Sequence, residues 1–245
     1  MGLPLKSRIL AILLVLAWGG AASAASVADG FESGAVGPLW KTHRVKAGSA
    51  TVQREIVRSG THAVRLELHQ GDMAGLGGDD EATERAEIQE ADGIWARFGE
   101  SHEYGFSMYL PPDFPIVDTR LVIGQWKQAC EDCSKNRSPI VAQRFRSGVF
   151  FVTIETPQGR RTIYRHRQSI LGQWLDLRYR IRFAWSDGSV AVWLNGERVA
   201  DYRGYLGYPD DPPGVYFKFG LYRDRLSQPM TIYFDDYRKG RVSQE

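Results

Sequence analysis

Leu175-Asp176-Leu177-Arg178-Tyr179-Arg180-Ile181-Arg182-Phe183 decides the fold class. Leu175, Leu177, Tyr179, Ile181 and Phe183 alternate with Asp176, Arg178, Arg180 and Arg182. A period of two sends one set of side chains into a core and the other into water, which is a half-buried strand. The same period recurs on both sides. Tyr104, Phe106, Met108 and Leu110 alternate with Gly105, Ser107 and Tyr109. Val149 to Glu155 reads as a strand, and a Gln158-Gly159 turn leads to Arg161–Arg167. Asp187-Gly188 and Asn195-Gly196 are tight-turn signals bracketing Val190, Val192 and Leu194. Short strands at this spacing predict an all-β chain of about a dozen strands, a β-sandwich or jelly roll. No internal repeat, low-complexity tract, interdomain linker or long amphipathic helix competes with that reading.

The chain has 245 residues, 43% hydrophobic and 24% charged, ordinary for one large globular domain. Its 7 Trp, 11 Tyr and 11 Phe suit β-structure and carbohydrate stacking, and a packed core accounts for most of them. The start reads as a targeting segment. Lys6 and Arg8 are its basic region, Ile9 to Trp18 its apolar run, and Ala22-Ser23-Ala24 its cleavage pattern. The run is too short to span a bilayer. Residues 1–24 are therefore expected to be a signal peptide, and 25–245 a single exported domain, periplasmic or extracellular. Without Lys6 and Arg8 the formal net charge goes from +2 to zero, so global charge does not argue for nucleic acid.

The local charge is uneven. Lys135, Arg137, Arg144, Arg146, Arg160, Arg161, Arg165, Arg167, Arg178, Arg180 and Arg182 are opposed over that stretch only by Glu155 and Asp176. Such a run attracts an anionic polymer, or forms a solvated sheet face with ion pairs to other segments. Cys130 and Cys133 are expected to form a local disulfide in an exported protein. Gly71 to Asp80, with four glycines and three aspartates, reads as a flexible loop over a cleft.

Three segments carry candidate chemistry. In Thr83-Glu84-Arg85-Ala86-Glu87-Ile88, Arg85 and Glu87 share a strand face, and an arginine held by an ion pair can offer its fork to a carboxylate. In Val122-Ile123-Gly124-Gln125-Trp126-Lys127-Gln128, Gln125 and Lys127 share a face opposite Trp126. In Val215-Tyr216-Phe217-Lys218-Phe219-Gly220-Leu221-Tyr222-Arg223, Tyr216, Lys218, Gly220 and Tyr222 share a face, with Gly220 expected to leave space between Lys218 and Tyr222. An ammonium beside a phenol favours the phenolate, which makes a tyrosine a usable acid or base. Taken singly, each segment also reads as polar side chains on a solvated sheet face or edge.

Together they resemble the jelly-roll polysaccharide lyases: heparin lyase I-like enzymes, glucuronan lyases and, more distantly, alginate lyases. The matching segments are Arg85-Ala86-Glu87-Ile88, Gln125-Trp126-Lys127 and Tyr216-Phe217-Lys218-Phe219-Gly220-Leu221-Tyr222, in the family's order. Phe31-Glu32-Ser33-Gly34 and Phe234-Asp235-Asp236 match the group's opening and closing segments. The resemblance implies a concanavalin A-like two-sheet jelly roll. It also implies β-elimination on a uronic-acid polymer of glucuronan or alginate type. Arg85 and Gln125 would neutralise the uronate carboxylate, Tyr222 would move the protons, and Lys218 would tune Tyr222. Lys127 stands where these lyases usually have His, as an added clamp on the carboxylate or the developing oxyanion.

Glu87, Tyr216, Arg223, Arg144, Arg146 and Arg165 are the expected substrate-binding residues. No cofactor is expected for the chemistry. Glu32 and Asp235 are hard-oxygen candidates for a structural Ca2+. The expected partner is an anionic polysaccharide, with no nucleic acid and no membrane, and the protein is expected to be a monomer. The rival readings are a noncatalytic glycan-binding jelly roll and a glycoside hydrolase. The hydrolase needs two placed carboxylates, for which Glu84, Glu87 and Glu90 are the acids near the expected cleft.

Overall fold

The computed structural model describes residues 24–74, 82–129, 137–211 and 213–243. In chain order the strands are β1 (Ala24–Asp29), β2 (Trp40–Lys41), β3 (Ala50–Gln53), β4 (Ala63–Leu68), β5 (Thr83–Glu90), β6 (Ala96–Arg97), β7 (Ser101–Tyr109) and β8 (Leu121–Ala129). They continue with β9 (Val141–Arg146), β10 (Val149–Thr156), β11 (Gly159–Arg165), β12 (Trp174–Arg182), β13 (Gly188–Leu194), β14 (Glu197–Gly204), β15 (Gly214–Asp224) and β16 (Met230–Val242). A single 3-10 turn, Asp92–Ile94, is the only helical element among the described residues. The signal-peptide reading and the Cys130–Cys133 disulfide lie outside the described residues.

Two antiparallel sheets stack as expected of a jelly roll. The back sheet runs β14-β13-β12-β7-β16-β4-β3, with β1 on β16. The front sheet runs β11-β10-β9-β8-β15-β5-β2, with β6 on β15. The alternation of β12 appears as alternating half-buried and buried residues. The Asn195-Gly196 turn has φ 49° and 87°, the two positive values that a type I′ hairpin demands and that Asn-Gly adopts at low cost.

Inward-facing aromatics join the sheets. Trp126 of β8 lies 4.6 Å from Phe217 of β15 and 4.6 Å from Tyr179 of β12, and Phe219 lies 4.1 Å from Phe234 of β16. Each such ring removes roughly 150–250 Å² from water. Most of the aromatic load is therefore core, and it holds β8 and β15 rigidly beneath the site.

The chain ends are tied by hydrogen bonds. Glu32 accepts from Thr61 N, Thr61 Oγ1 and His62 N, and these bonds pull its carboxyl down to about 2. Asp235 accepts from the backbone amides of Arg58, Ser59 and Asp236. A cradle of N–H donors repels a cation, and among the described residues no group of three or more acid, His or Cys side chains is placed to hold a metal ion. Glu32 and Asp235 as arranged do not fit a calcium site.

Candidate active site

Strand β15 sits between β5 and β8, so the three chemistry-bearing segments become neighbouring strands. Register does the rest. Tyr222 stands opposite Arg85 on β5 and Val122 on β8; Lys218 stands opposite Gln89 and Gln125; Tyr216 stands opposite Lys127; and Gly220 stands opposite Glu87. Gly220 does not leave open space. Its φ is +133°, and a Cβ there would sit 2.1 Å from the Ala86 carbonyl oxygen. The glycine is what lets β15 press against β5 and bring Tyr222 beside Arg85. Gly220→Ala is expected to destabilise the fold by more than about 2 kcal/mol, from backbone strain plus this clash. Thermal unfolding measures it, and an unchanged midpoint would contradict the packing.

The cleft over this surface has a volume of about 290 Å³ and is lined by Arg44, Arg85, Arg120, Gln125, Lys127, Arg137, Arg144, Arg160 and Tyr222, among others. Arg85 Cζ is 4.8 Å and Arg120 Cζ 5.4 Å from the Tyr222 ring centroid. Among the described residues no hydrogen bond fixes the Tyr222 hydroxyl. All five histidines of the chain are described, and none lines the cleft.

A buried layer supports this wall. Glu87 accepts from Gln125 Nε2 at 2.6 Å and Lys218 Nζ at 2.8 Å. It orients the Gln125 amide and neutralises the buried ammonium, so it positions groups rather than meeting solvent. Lys218 is thus committed to Glu87, and the cations facing the Tyr222 ring are Arg85 and Arg120. Burial pulls Lys218 down from the usual lysine value, opposed by Glu87. Tyr216 also lies below the surface, against Trp95, and burial pushes its phenol up to about 12. Lys127 donates to the Arg137 carbonyl. Burial, then the Arg44 charge, pushes its ammonium down to about 8, with Glu87 and Asp211 opposing.

Several expected binding residues lie elsewhere. Arg223 is fully buried, and its guanidinium pairs with Glu84 and donates to the Gln228 and Leu226 carbonyls. One residue beyond Tyr222 on a pleated strand points to the opposite face. Arg146 is exposed, pairs with Asp118 at 2.6 Å and does not line the cleft. Arg165 is on β11, four strand positions from β15, so roughly 19 Å away at sheet spacing; its guanidinium lies 5.1 Å from the centroid of the Phe151 ring. Of the arginines proposed as subsites, Arg144 lines the cleft, its Nε donating to Thr153 Oγ1 at 3.0 Å.

The three acids also separate. Only Glu87 faces the cleft side. Glu84 pairs with Arg223, and Glu90 is buried with Lys239, Tyr237 and the Phe217 amide. A two-carboxylate hydrolase site is absent from this cleft among the described residues.

Arg44 and Arg120 are cleft residues that the strand motifs do not reveal. Arg44 comes from the loop before β3. Its carbonyl accepts the Glu87 amide, which anchors the loop along β5, and its buried Nε has no hydrogen-bond partner among the described residues. Arg120 precedes β8 and forks onto Asp224. Of the Gly71 to Asp80 loop, residues 71–74 form a turn in which Asp72 is buried and bonded to Lys46 and the His69 amide. The remainder of that segment falls outside the described residues.

Comparison with known proteins gives three results. A family model described as polysaccharide lyase matches residues 31–238. No curated protein matches the chain. Solved structures share its fold. An endo-β-1,4-glucuronan lyase from the fungus Trichoderma reesei is 16% identical, with a TM-score of 0.65, covering 82% of this chain and 90% of its own. The cellulose-induced protein Cip1 is 14% identical, with a TM-score of 0.58, covering 87% and 96%. Alginate lyase Aly36B, as a double mutant bound to an alginate trisaccharide, is 13% identical, with a TM-score of 0.56, covering 91% and 100%.

Proposed function

Because the chain belongs to the polysaccharide lyase family, we propose that it cleaves a uronic-acid polysaccharide by β-elimination in the Tyr222 cleft. One observation carries this reading: Tyr222 stands beside Arg85 in a cleft lined mainly by cationic and amide side chains, and Glu87 beneath them is turned to hold Gln125 and Lys218.

The reaction removes the proton at C5 and expels the glycosidic oxygen from C4, leaving a C4=C5 double bond. The neighbouring carboxylate makes the C5–H a very weak acid. Fixed donors on that carboxylate stabilise the enolate-like charge as it develops. Arg85 and Gln125 supply them, Gln125 through the side-chain N–H not given to Glu87. Tyr222 takes the C5 proton and returns one to the departing O4. In D-glucuronate and D-mannuronate both groups leave from one side of the ring, so one phenol serves both steps. The guanidiniums of Arg85 and Arg120 lie against its ring and set fixed positive charge beside the reacting atoms.

Lys127 clamps the carboxylate while protonated. With its ammonium near 8 rather than the ordinary 10.5, the charged form dominates below pH 8 and is lost above it. The KM for polymer is therefore expected to rise as pH passes through 8, and to stay flat over that range in Lys127→Gln. A kcat that instead climbs through pH 8 and loses that rise in Lys127→Gln would make Lys127 a base.

The export signal at residues 1–24 and action as a monomer belong to the same reading. N-terminal sequencing of the exported protein should begin at residue 25. The primary test is ultraviolet absorbance with glucuronan, polymannuronate, polyguluronate, heparin, hyaluronan and pectate, because elimination makes a conjugated double bond. A rise on glucuronan or polymannuronate alone is expected. A rise on polyguluronate alone would overturn the one-residue mechanism. Binding with no rise on any polymer would make the protein a glycan-binding jelly roll.

A further inference from the structure

The back sheet carries a second basic concavity, larger than the cleft. Its volume is about 530 Å³, and its lining includes Arg178, Arg180, Arg182, Trp193, Arg198 and Arg203. It lies on β12, β13 and β14, whose outward faces point away from the front sheet. Arg178, Arg180 and Arg182 stand at alternate positions of β12, so their Cα atoms form a row with steps of roughly 7 Å.

Across the strands, Arg178, Trp193 and Arg198 are in register. The Arg178 guanidinium lies 3.7 Å from the Trp193 ring centroid, and Arg198 lies 5.5 Å from it. Stacking fixes a guanidinium while leaving its in-plane N–H donors for a carboxylate, and lowers the entropy lost on binding. Between Trp193 and the far end, the floor includes Ala191 and Ser189, which are small.

The charges are incompletely matched. Arg178 and Arg180 share Glu103 at 3.3 and 3.6 Å, Arg182 takes Asp187 at 2.7 Å and Arg198 takes Asp201 at 2.8 Å. Arg203 is the groove arginine that brings positive charge with no acid beside it among the described residues. Linear spacing, excess positive charge and serine hydroxyls from Ser101, Ser189 and Ser243 suit an extended polyanion with repeated carboxylates. Nucleobases would need bare rings to stack on, and Trp193 is flanked by two guanidiniums.

We propose that this back-sheet groove is a second, noncatalytic site that binds a strand of acidic polysaccharide. It keeps the enzyme on its polymer while the front cleft works. The ligand class rests on the proposed uronate substrate; the groove itself does not.

The test uses Tyr222→Phe, so that polymer is not consumed, and follows its retardation in glucuronan and polymannuronate affinity gels. Two groove variants are added separately: the triple Arg178→Ala/Arg182→Ala/Arg203→Ala, and Ser189→Glu, which places a carboxylate in the groove without deleting an ion pair. Each is expected to weaken polymer binding about tenfold and to flatten its salt dependence. In the otherwise unaltered enzyme, Ser189→Glu is expected to raise KM for polymer and leave turnover of a trisaccharide unchanged.

Polymer binding unchanged in a folded groove variant overturns the site. Tighter groove-dependent binding of single-stranded DNA or anionic vesicles than of uronate polymer overturns the ligand. The two readings also fail separately. Elimination with unaffected polymer binding in the groove variants removes only the groove. Groove-dependent binding without elimination by the unaltered enzyme removes only the catalytic reading.

Discussion

Tyr222→Phe is expected to lower kcat by about 10²–10⁴, the range of a positioned proton-transfer group, while changing the Kd for uronate oligomers by no more than about threefold. The argument is geometric. In the proposed mechanism the phenol moves the protons beside Arg85, and no histidine lines the cleft to share the work. The ring that packs near Arg85 and Arg120 survives the substitution, so the fold and the electrostatic surroundings are retained. Stopped-flow absorbance and calorimetry on one preparation separate the two quantities. Residual activity within tenfold of the parent would transfer the proton to another group, with Lys127 the next to test.

Arg223→Leu is expected to cost about 3–5 kcal/mol of stability, because it leaves the Glu84 carboxylate buried without its charge partner. Both side chains are fully buried, with Arg223 Nη2 2.6 Å from Glu84 Oε1. For a chain of this size that loss lowers Tm by roughly 6–20 °C. Glu84→Leu/Arg223→Leu should recover much of it, since an apolar pair in place of a buried ion pair is often neutral. The folded fraction should keep its KM for polymer, because Arg223 faces away from the cleft. A raised KM with an unchanged Tm would return Arg223 to substrate binding.

The strands were legible because alternation is a local signal. Tyr104–Leu110, Val149–Glu155 and Leu175–Phe183 each became a strand with ends within three residues of expectation. The candidate catalytic segments were legible for the same reason. Arg85, Gln125 and Tyr222 sit on strands whose parity places them on one face, and the ordered motifs supplied their partners. The same parity puts Arg223, Glu84 and Glu90 on the inner face, against the expectation that Arg223 binds substrate and that Glu84 and Glu90 lie by the cleft. What it could not supply was the partner that makes a charge tolerable there, and each partner lies far along the chain: Glu84 for Arg223, Lys239 for Glu90. Arg44 and Arg120 left no such trace, since irregular loops have no period.

The basic stretch from Lys135 to Arg182 shows the division most plainly. As sequence it is one run of positive charge. Folded, it is divided between two surfaces, Arg137, Arg144 and Arg160 lining the front cleft and Arg178, Arg180 and Arg182 lining the back groove. The sequence by itself determined which residues point outward, because a strand's two-residue repeat is set by the backbone. Only the tertiary structure decided which outward face each joined. That depends on strand order and register, and those come from aromatic packing between sheets and from one glycine where β15 presses against β5.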